Sequence, residues 1–331
     1  MARAYHRDQP GAPALTYTPA PTSQAHFDAF KTILIAALVS GYGELPAAGW
    51  ELVFESPSSL VLRNGTRSGY VCFQRSTTVE VVVTVWLAET FSGVDAEGKI
   101  IGDGVRSGTA ANSAEPQRFT VRSLAAYSSS STWALVADEG GFVLSMSGDA
   151  SSTAGVIEGS YGYQYQANGA LYCGDDSAGD FICVGGVNTT AVGVSNGVAG
   201  FGAGGFTALK YPDSGLLVDT SAIDVAMPGT RAAVAAVYNS HPAGVILPTA
   251  HLAPLSWVAN QTVRDLRGCA VDHRLTAVYN SPASQALGGP ALTSRSMNTV
   301  LDLGDGHAYF VARSYFVSAI TMLLTDNPEF W

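Results

Sequence analysis

Apolar positions in the first quarter of the chain follow two rhythms. Over residues 23–40 (SQAHFDAFKTILIAALVS), Phe27, Phe30, Leu34, Ala37 and Leu38 recur every three to four residues, which is the spacing of one helix face. Ser23 is placed to cap the amino end, Asp28 sits near the positive end of the helix dipole, and Gly41 is a natural residue to end the helix. After it the rhythm changes. Residues 50–55 (WELVFE), 59–63 (SLVLR), 69–75 (GYVCFQR) and 78–88 (TVEVVVTVWLA) are rich in β-branched and aromatic side chains and are separated by short turn-forming stretches. Asn64-Gly65 is a strong hairpin signal among them. The pattern predicts an antiparallel meander with the helix lying on it. Burying one large side chain contributes at most ~1.5–3 kcal/mol, so the helix needs that sheet.

Residues 92–116 are low in large apolar groups and read as an exposed loop. Strand character returns at 117–122, 132–137 and 141–146. From residue 148 onward the chain turns dense in Gly, Ser and Ala, with short β-like pieces at 161–165, 181–184 and 206–211. Further candidate strands are 231–238, 244–248, 275–279 and 307–318. The fold class that follows is mainly β (α+β): antiparallel sheets, one N-terminal helix packed on a sheet, and Gly-rich loops. The natural divisions are an extended arm at 1–22, a helix plus antiparallel β domain at 23–150, and a Gly-rich β region with a C-terminal β domain at 151–331. The arm carries Pro10, Pro13, Pro19 and Pro21. Proline fixes φ and removes a donor, so the arm is either a free tail or a segment that docks on a neighbouring subunit.

Composition narrows the function classes. Only 13% of the 331 residues are charged, against roughly 25% in an average soluble domain. The formal net charge is -10, and no block of Lys and Arg occurs. Nucleic-acid binding draws on a basic stripe, so no nucleic-acid partner is expected. The N-terminal residues are polar and Pro-rich with no apolar core, unlike a signal peptide. The most apolar run, Ile33 to Val39, is shorter than the ~20 residues that span a bilayer, so no membrane insertion is expected. Cys72, Cys173, Cys183 and Cys269 form no Cys-x-x-Cys pair. Cys173 and Cys183 could meet across a hairpin, but free buried thiols are the plainer expectation.

Chemistry-bearing motifs are weak. GFGAGG (Gly200 to Gly205) has a Gly-x-Gly spacing, but Tyr211-Pro212-Asp213 follows where a dinucleotide site needs a helix. CGDDSAGD gathers Asp175, Asp176 and Asp180, an oxygen-rich cluster of the kind hard cations favour. It lacks the EF-hand spacing and final Glu, so a solvated turn is the expectation. His241, His251 and His273 lie near Cys269 in sequence without a nucleophile signature. No catalytic residue, cofactor or metal is assigned, and the chain is not read as an enzyme. Tyr161, Tyr163 and Tyr165 alternate, which places three rings on one face of a strand. Such a face suits an interface or ligand, or equally a half-buried core beneath a loop.

One run carries a family resemblance. Gly41 to Phe73 (GYGELPAAGWELVFESPSSLVLRNGTRSGYVCF) resembles a recurrent segment of uncharacterised virion structural proteins of tailed phages. Those proteins share an arm ending in PGAP, a helix, Gly-Tyr-Gly, a short spacer, Pro-Ala-Gly-Trp and a strand ending in Arg-Asn-Gly. Here the elements are Pro10 to Pro13, the helix at 23–40, Gly41-Tyr42-Gly43, Pro46 to Trp50, and Arg63-Asn64-Gly65. Trp133 to Asp138 resembles the family's Trp-containing strand, and Arg264 to Gly268 its Arg-x-Leu-Arg-Gly-type turn. The good match covers the first 75 residues, with scattered echoes beyond.

The resemblance implies a structural component of a tailed-phage virion, in the tail, baseplate or collar. Its partners would be other virion proteins and copies of itself in a homo-oligomer, and its location the particle, assembled in the host cytoplasm. The family has no established catalytic residue to carry over. A receptor- or glycan-binding module at the tail tip, facing a host surface receptor, is the alternative. Gly41, Gly43, Gly49 and Trp50 are expected to build a tight helix-to-strand turn, with the indole covering the sheet beneath the helix.

Overall fold

The structure is a computed structural model, and it describes residues 1–14, 23–75, 82–108, 116–120, 132–147, 169–185, 206–209, 224–226, 252–259, 262–271, 298, 300–302, 304–312 and 322–331. Three antiparallel sheets stack on one another. The meander sheet has the order β2 (Glu51–Glu55), β3 (Ser59–Arg63), β4 (Tyr70–Arg75), β5 (Val82–Ala88) and β8 (Arg118–Thr120). The central sheet has the order β1 (Arg3–His6), β9 (Thr132–Ala137), β10 (Gly141–Ser147), β11 (Gly169–Asp175), β12 (Phe181–Val184) and β13 (Phe206–Ala208). The distal sheet runs β14 (Asp224–Ala226), β15 (Ala253–Ala259), β16 (Thr262–Val271), β19 (Met322–Thr325), β18 (Ala308–Ala312) and β17 (Val300–Asp302). A small hairpin, β6 (Gly93–Val94) and β7 (Ile100–Ile101), forms a two-stranded sheet of its own.

The central sheet is buried on both faces, and the two-residue period of a strand explains how. Trp133, Leu135 and Ala137 of β9 point into a core shared with Leu62, Phe73 and Val85 of the meander sheet and with Phe27, Phe30 and Leu34 of the helix. Ala134 and Val136, the alternate residues, point into a second core with Leu255, Leu266, Phe310 and Leu324 of the distal sheet. Both faces being apolar, β9 reads as an unbroken apolar run.

The helix α1 spans Ser23–Ile35 and continues as a wider π turn over Ala36–Ser40. Its Phe30 meets Phe73 edge-on at 5.1 Å between ring centres. The π turn has a local cause. The carbonyls of Ala37 and Leu38 accept from the backbone N–H groups of Ala48, Gly49 and Trp50, so the following loop folds back and satisfies the helix end. Gly41 ends the helix at φ +73°, as the sequence suggests, and a Cβ there would strike the Leu45 carbonyl.

Several expectations are corrected. The β3–β4 hairpin forms, but not around a two-residue Asn-Gly turn. Its connection is residues 64–69, and the left-handed residue is Arg67 at φ +61°. Residues 92–116 are not simply an exposed loop. The β6–β7 hairpin lies there, and Ile100 packs with Val61, Cys72 and Ala88 over the outer face of the meander. The Arg264 to Gly268 segment is not a turn; it lies inside the ten-residue strand β16. The described part of the arm, residues 1–14, is not a free tail: β1 pairs with β9, and Tyr5 is fully buried.

The central sheet takes strands from all three stretches of sequence. β10 pairs with β11 across residue 150, and β1 joins from the arm, so the divisions at 22 and 150 do not separate sheets. The expected strands at 161–165, 231–238, 244–248 and 275–279 lie outside the described residues. Among the described residues, no helix is long and apolar enough to cross a membrane.

Candidate functional site at the junction of three sheets

The turn between β9 and β10 is Asp138, Glu139 and Gly140. It is closed by its own first side chain, since Asp138 Oδ1 accepts from Gly140 N at 2.8 Å and Gly141 N at 3.0 Å, the Asx-type turn that Asp favours. The three carbonyls of this turn all point outward to other elements. Asp138 O accepts from the Trp50 indole Nε1 at 2.9 Å. Glu139 O accepts from Gly65 N at 2.7 Å. Gly140 O accepts from Asn64 Nδ2 at 3.1 Å and from Asp175 N at 2.9 Å. The Pro-Ala-Ala-Gly-Trp and Arg-Asn-Gly motifs therefore converge on one three-residue turn.

The distal sheet reaches the same turn through β16. Arg267 Nη2 donates to Asp138 Oδ2 at 2.5 Å, with only 20% and 10% of the two side chains exposed. The guanidinium also lies 5.4 Å from the Trp331 ring centre, a cation–π position. A side chain at Gly140 would collide with Arg267, and one at Gly65 would come within 2.7 Å of Gly49 O. These glycines are sites of close approach between sheets.

A second buried carboxylate extends the junction. Asp175 accepts from Asn64 Nδ2 at 3.1 Å, from Thr66 Oγ1 at 2.6 Å and from Ser68 Oγ. Asn64 Oδ1 in turn accepts from Ser68 N at 3.0 Å. The Asn64 side chain is thus a connector between the meander and central sheets, which is why the residue is 1% exposed rather than the tip of a tight turn. Asp176 closes the β11–β12 turn by accepting from Ala178 N at 2.9 Å and Asp180 N at 3.0 Å. Asp180 faces Arg264 at 3.7 Å, and Ser177 and Asp265 exchange two hydrogen bonds, Ser177 N to Asp265 O and Asp265 N to Ser177 Oγ. The three aspartates expected in a solvated turn are instead divided among separate partners, with Asp175 and Asp176 buried. Among the described residues, no group of three or more His, Cys, Asp or Glu side chains forms a metal-ligand set.

The remaining motif residues fix the arm. Gly11 (φ +78°) and Gly43 (φ +56°) lie backbone against backbone, and a Cβ on Gly43 would strike Pro10 O. Tyr42 Oη donates to Gln9 Oε1 at 2.5 Å, and its ring packs on Tyr5 and Trp133. Burial pushes the Tyr42 phenol well above its ordinary value. Trp133 Nε1 donates to Pro13 O at 3.0 Å, and Tyr5 Oη to Pro46 O at 2.8 Å. The PGAP and Gly-Tyr-Gly motifs are two halves of one contact. The Trp50 indole packs on Phe142 and Phe181 of the central sheet, so it covers that sheet and not only the meander under the helix. Arg63 points the other way, onto the outer face of the meander, with its guanidinium 4.9 Å from the Tyr70 ring centre.

Tyr161, Tyr163 and Tyr165 lie outside the described residues, as do the GFGAGG string and His241, His251 and His273. Cys269 is fully buried, and burial raises its thiol far above the ordinary range; burial likewise pushes Cys72 up to about 12. Sequence reasoning missed Asp138, Asp175 and Arg267 as a group. The one signal available was an Asp-x-Gly-Gly string after an apolar strand. No protein-family model matches the chain, and no curated protein matches its sequence.

Proposed function

We propose that this protein is a structural component of a tailed-phage virion, in the tail, baseplate or collar, assembling with copies of itself and with other virion proteins. The observation that carries the reading is the ordered series of motifs: Pro10 to Pro13, Gly41-Tyr42-Gly43, Pro46 to Trp50 and Arg63-Asn64-Gly65. What these residues do in the fold supports it. They join the arm, the helix loop and two sheets through backbone carbonyls and close glycine contacts, which is architectural work. A chain with few charges also suits a protein that meets many neighbours. Gold-labelled antibody against the protein, viewed on particles by electron microscopy, tests the reading. Label at the tail tip, baseplate or neck is expected. Absence from intact and from disrupted particles would overturn it.

A second reading, a receptor- or glycan-binding module at the tail tip, draws on the outer face of the meander. Tyr70 and Phe91 stack there at 6.2 Å, and Phe54 lies 6.4 Å from Phe91. All three rings are half-buried. Clustered aromatic side chains with one polar handle are suited to such binding surfaces. Glycan-array binding that is lost in Tyr70→Ala would favour this reading; equal signal from both proteins would remove it.

A further inference from the structure

β11 and β12 pair antiparallel with Cys173 opposite Cys183. Opposed residues in such a pair alternate between a hydrogen-bonded and a non-hydrogen-bonded kind. Asp176 N donates to Asp180 O at 3.0 Å, so that pair is of the first kind. Counting inward, Asp175 with Phe181 is of the second kind, Gly174 with Ile182 of the first, and Cys173 with Cys183 of the second. The flanking strands agree: Asp175 N bonds Gly140 O on one side, and Phe181 O accepts from Leu209 N on the other. In the second kind of pair the Cα atoms are about 4.5 Å apart and the side chains are at their closest. That separation lies within the roughly 4.4–6.8 Å span of disulfides.

The geometry points to Cys173 and Cys183 as a thiol–disulfide site, which a disulfide oxidant such as glutathione disulfide closes into a cross-strand bond, with Cys72 and Cys269 staying reduced. Both side chains point to the same face of the sheet, into the core shared with the meander and the helix. Gln117 Nε2 also reaches Cys183 Sγ at 3.6 Å and fixes it from the β8 side. Cys72 and Cys269 sit in other cores, one under the β6–β7 hairpin and one between the central and distal sheets. The chemistry balances in two exchanges. One cysteine thiolate attacks the oxidant and expels one glutathione thiol; the other then attacks the mixed disulfide and expels the second. The protein loses two protons and two electrons, and the oxidant becomes two glutathione thiols. Both cysteines are fully buried, so closure follows local opening of β12 or takes place during folding.

The test is to equilibrate the whole chain with reduced glutathione and glutathione disulfide, once through urea unfolding and refolding and once at sub-denaturing urea. Free thiols are then alkylated and peptides are read by mass spectrometry. The expected product has one disulfide, Cys173 to Cys183, and alkylated Cys72 and Cys269. Its melting temperature should rise by roughly 3–6 °C over the reduced form. Cys173→Ser and Cys183→Ser should each abolish the product, while Cys72→Ser and Cys269→Ser keep it. Four alkylated cysteines after both routes, or pairings that include Cys72 or Cys269 in comparable amounts, would overturn the proposal.

Discussion

Strands β9 and β16 lie in adjacent sheets and meet at one junction, yet their sequences differ sharply. β9 is TWALVA, with Trp133 to Ala137 all fully buried. β16 is TVRDLRGCAV and carries Arg264, Asp265 and Arg267 within its first six residues. The first strand is covered on both faces by apolar layers, so every position can be apolar. The second passes the turns of the central sheet, where Arg267 meets Asp138, Arg264 meets Asp180 and the Asp265 backbone bonds Ser177, while the Asp265 carboxylate accepts from Ser256 Oγ of β15. A strand can therefore lose its alternating pattern for two opposite reasons, full burial on both faces or a polar crossing with another layer.

The largest effect should come from β9. Trp133→Ala removes a fully buried indole together with its bond to Pro13, and should cost about 3–5 kcal/mol in urea unfolding. Arg267→Ala on β16 strands a largely buried carboxylate at Asp138 and should cost about 3 kcal/mol. A double-mutant cycle with Asp138→Ala should show a coupling of roughly 1–3 kcal/mol. Additive losses would mean that the pair does not join the sheets. Gly43→Ala, at the arm contact, should cost roughly 1–3 kcal/mol, and should increase protease cleavage within the first 14 residues.

A smaller effect concerns His6, which leaves β1 beside Phe310 of the distal sheet, with ring centres 5.4 Å apart. Burial lowers its pKa below the ordinary value, and Asp8 offsets part of this. The folded state therefore takes up a proton less readily than the unfolded chain. Stability from this group is full above the unfolded value of about 6.5 and declines as pH falls from there toward the lowered folded value. His6→Phe should flatten that part of the stability–pH curve. The smallest effect belongs to Arg264→Ala, whose pair with Asp180 is 3.7 Å apart with both side chains over a quarter exposed. It should change stability by about 0–1 kcal/mol.

The same contrast explains what was legible in the sequence. β3 and β4 match the sequence pattern within a residue, because β-branched and aromatic side chains concentrate there and turn residues separate the strands. β9 and β10 were found from apolar content alone. The resemblance implies a turn at Arg264 to Gly268, and the charges of Arg264, Asp265 and Arg267 give no strand signal to set against it until the facing sheet is known. β11 (GALYCGD) was missed because Gly169 and Gly174 mimic loop composition, although Gly174 is required where β11 runs against Gly140 and Gly141. The residues of Gly-Tyr-Gly, Pro-Ala-Ala-Gly-Trp and Arg-Asn-Gly stand out in the sequence as motifs, but their partners do not. The common target of Pro-Ala-Ala-Gly-Trp and Arg-Asn-Gly, the Asp138–Gly140 turn, is not visible in the sequence, because the contacts span up to 88 residues of chain.

The central claim is that this is an architectural part of a particle. It is tested most directly by quantitative mass spectrometry of purified phage particles, using isotope-labelled reference peptides from this chain and from the major tail protein. The account predicts a fixed number of copies per particle, in a constant ratio to the tail protein across preparations. Fewer than one copy per particle, falling further with each purification step, would contradict it.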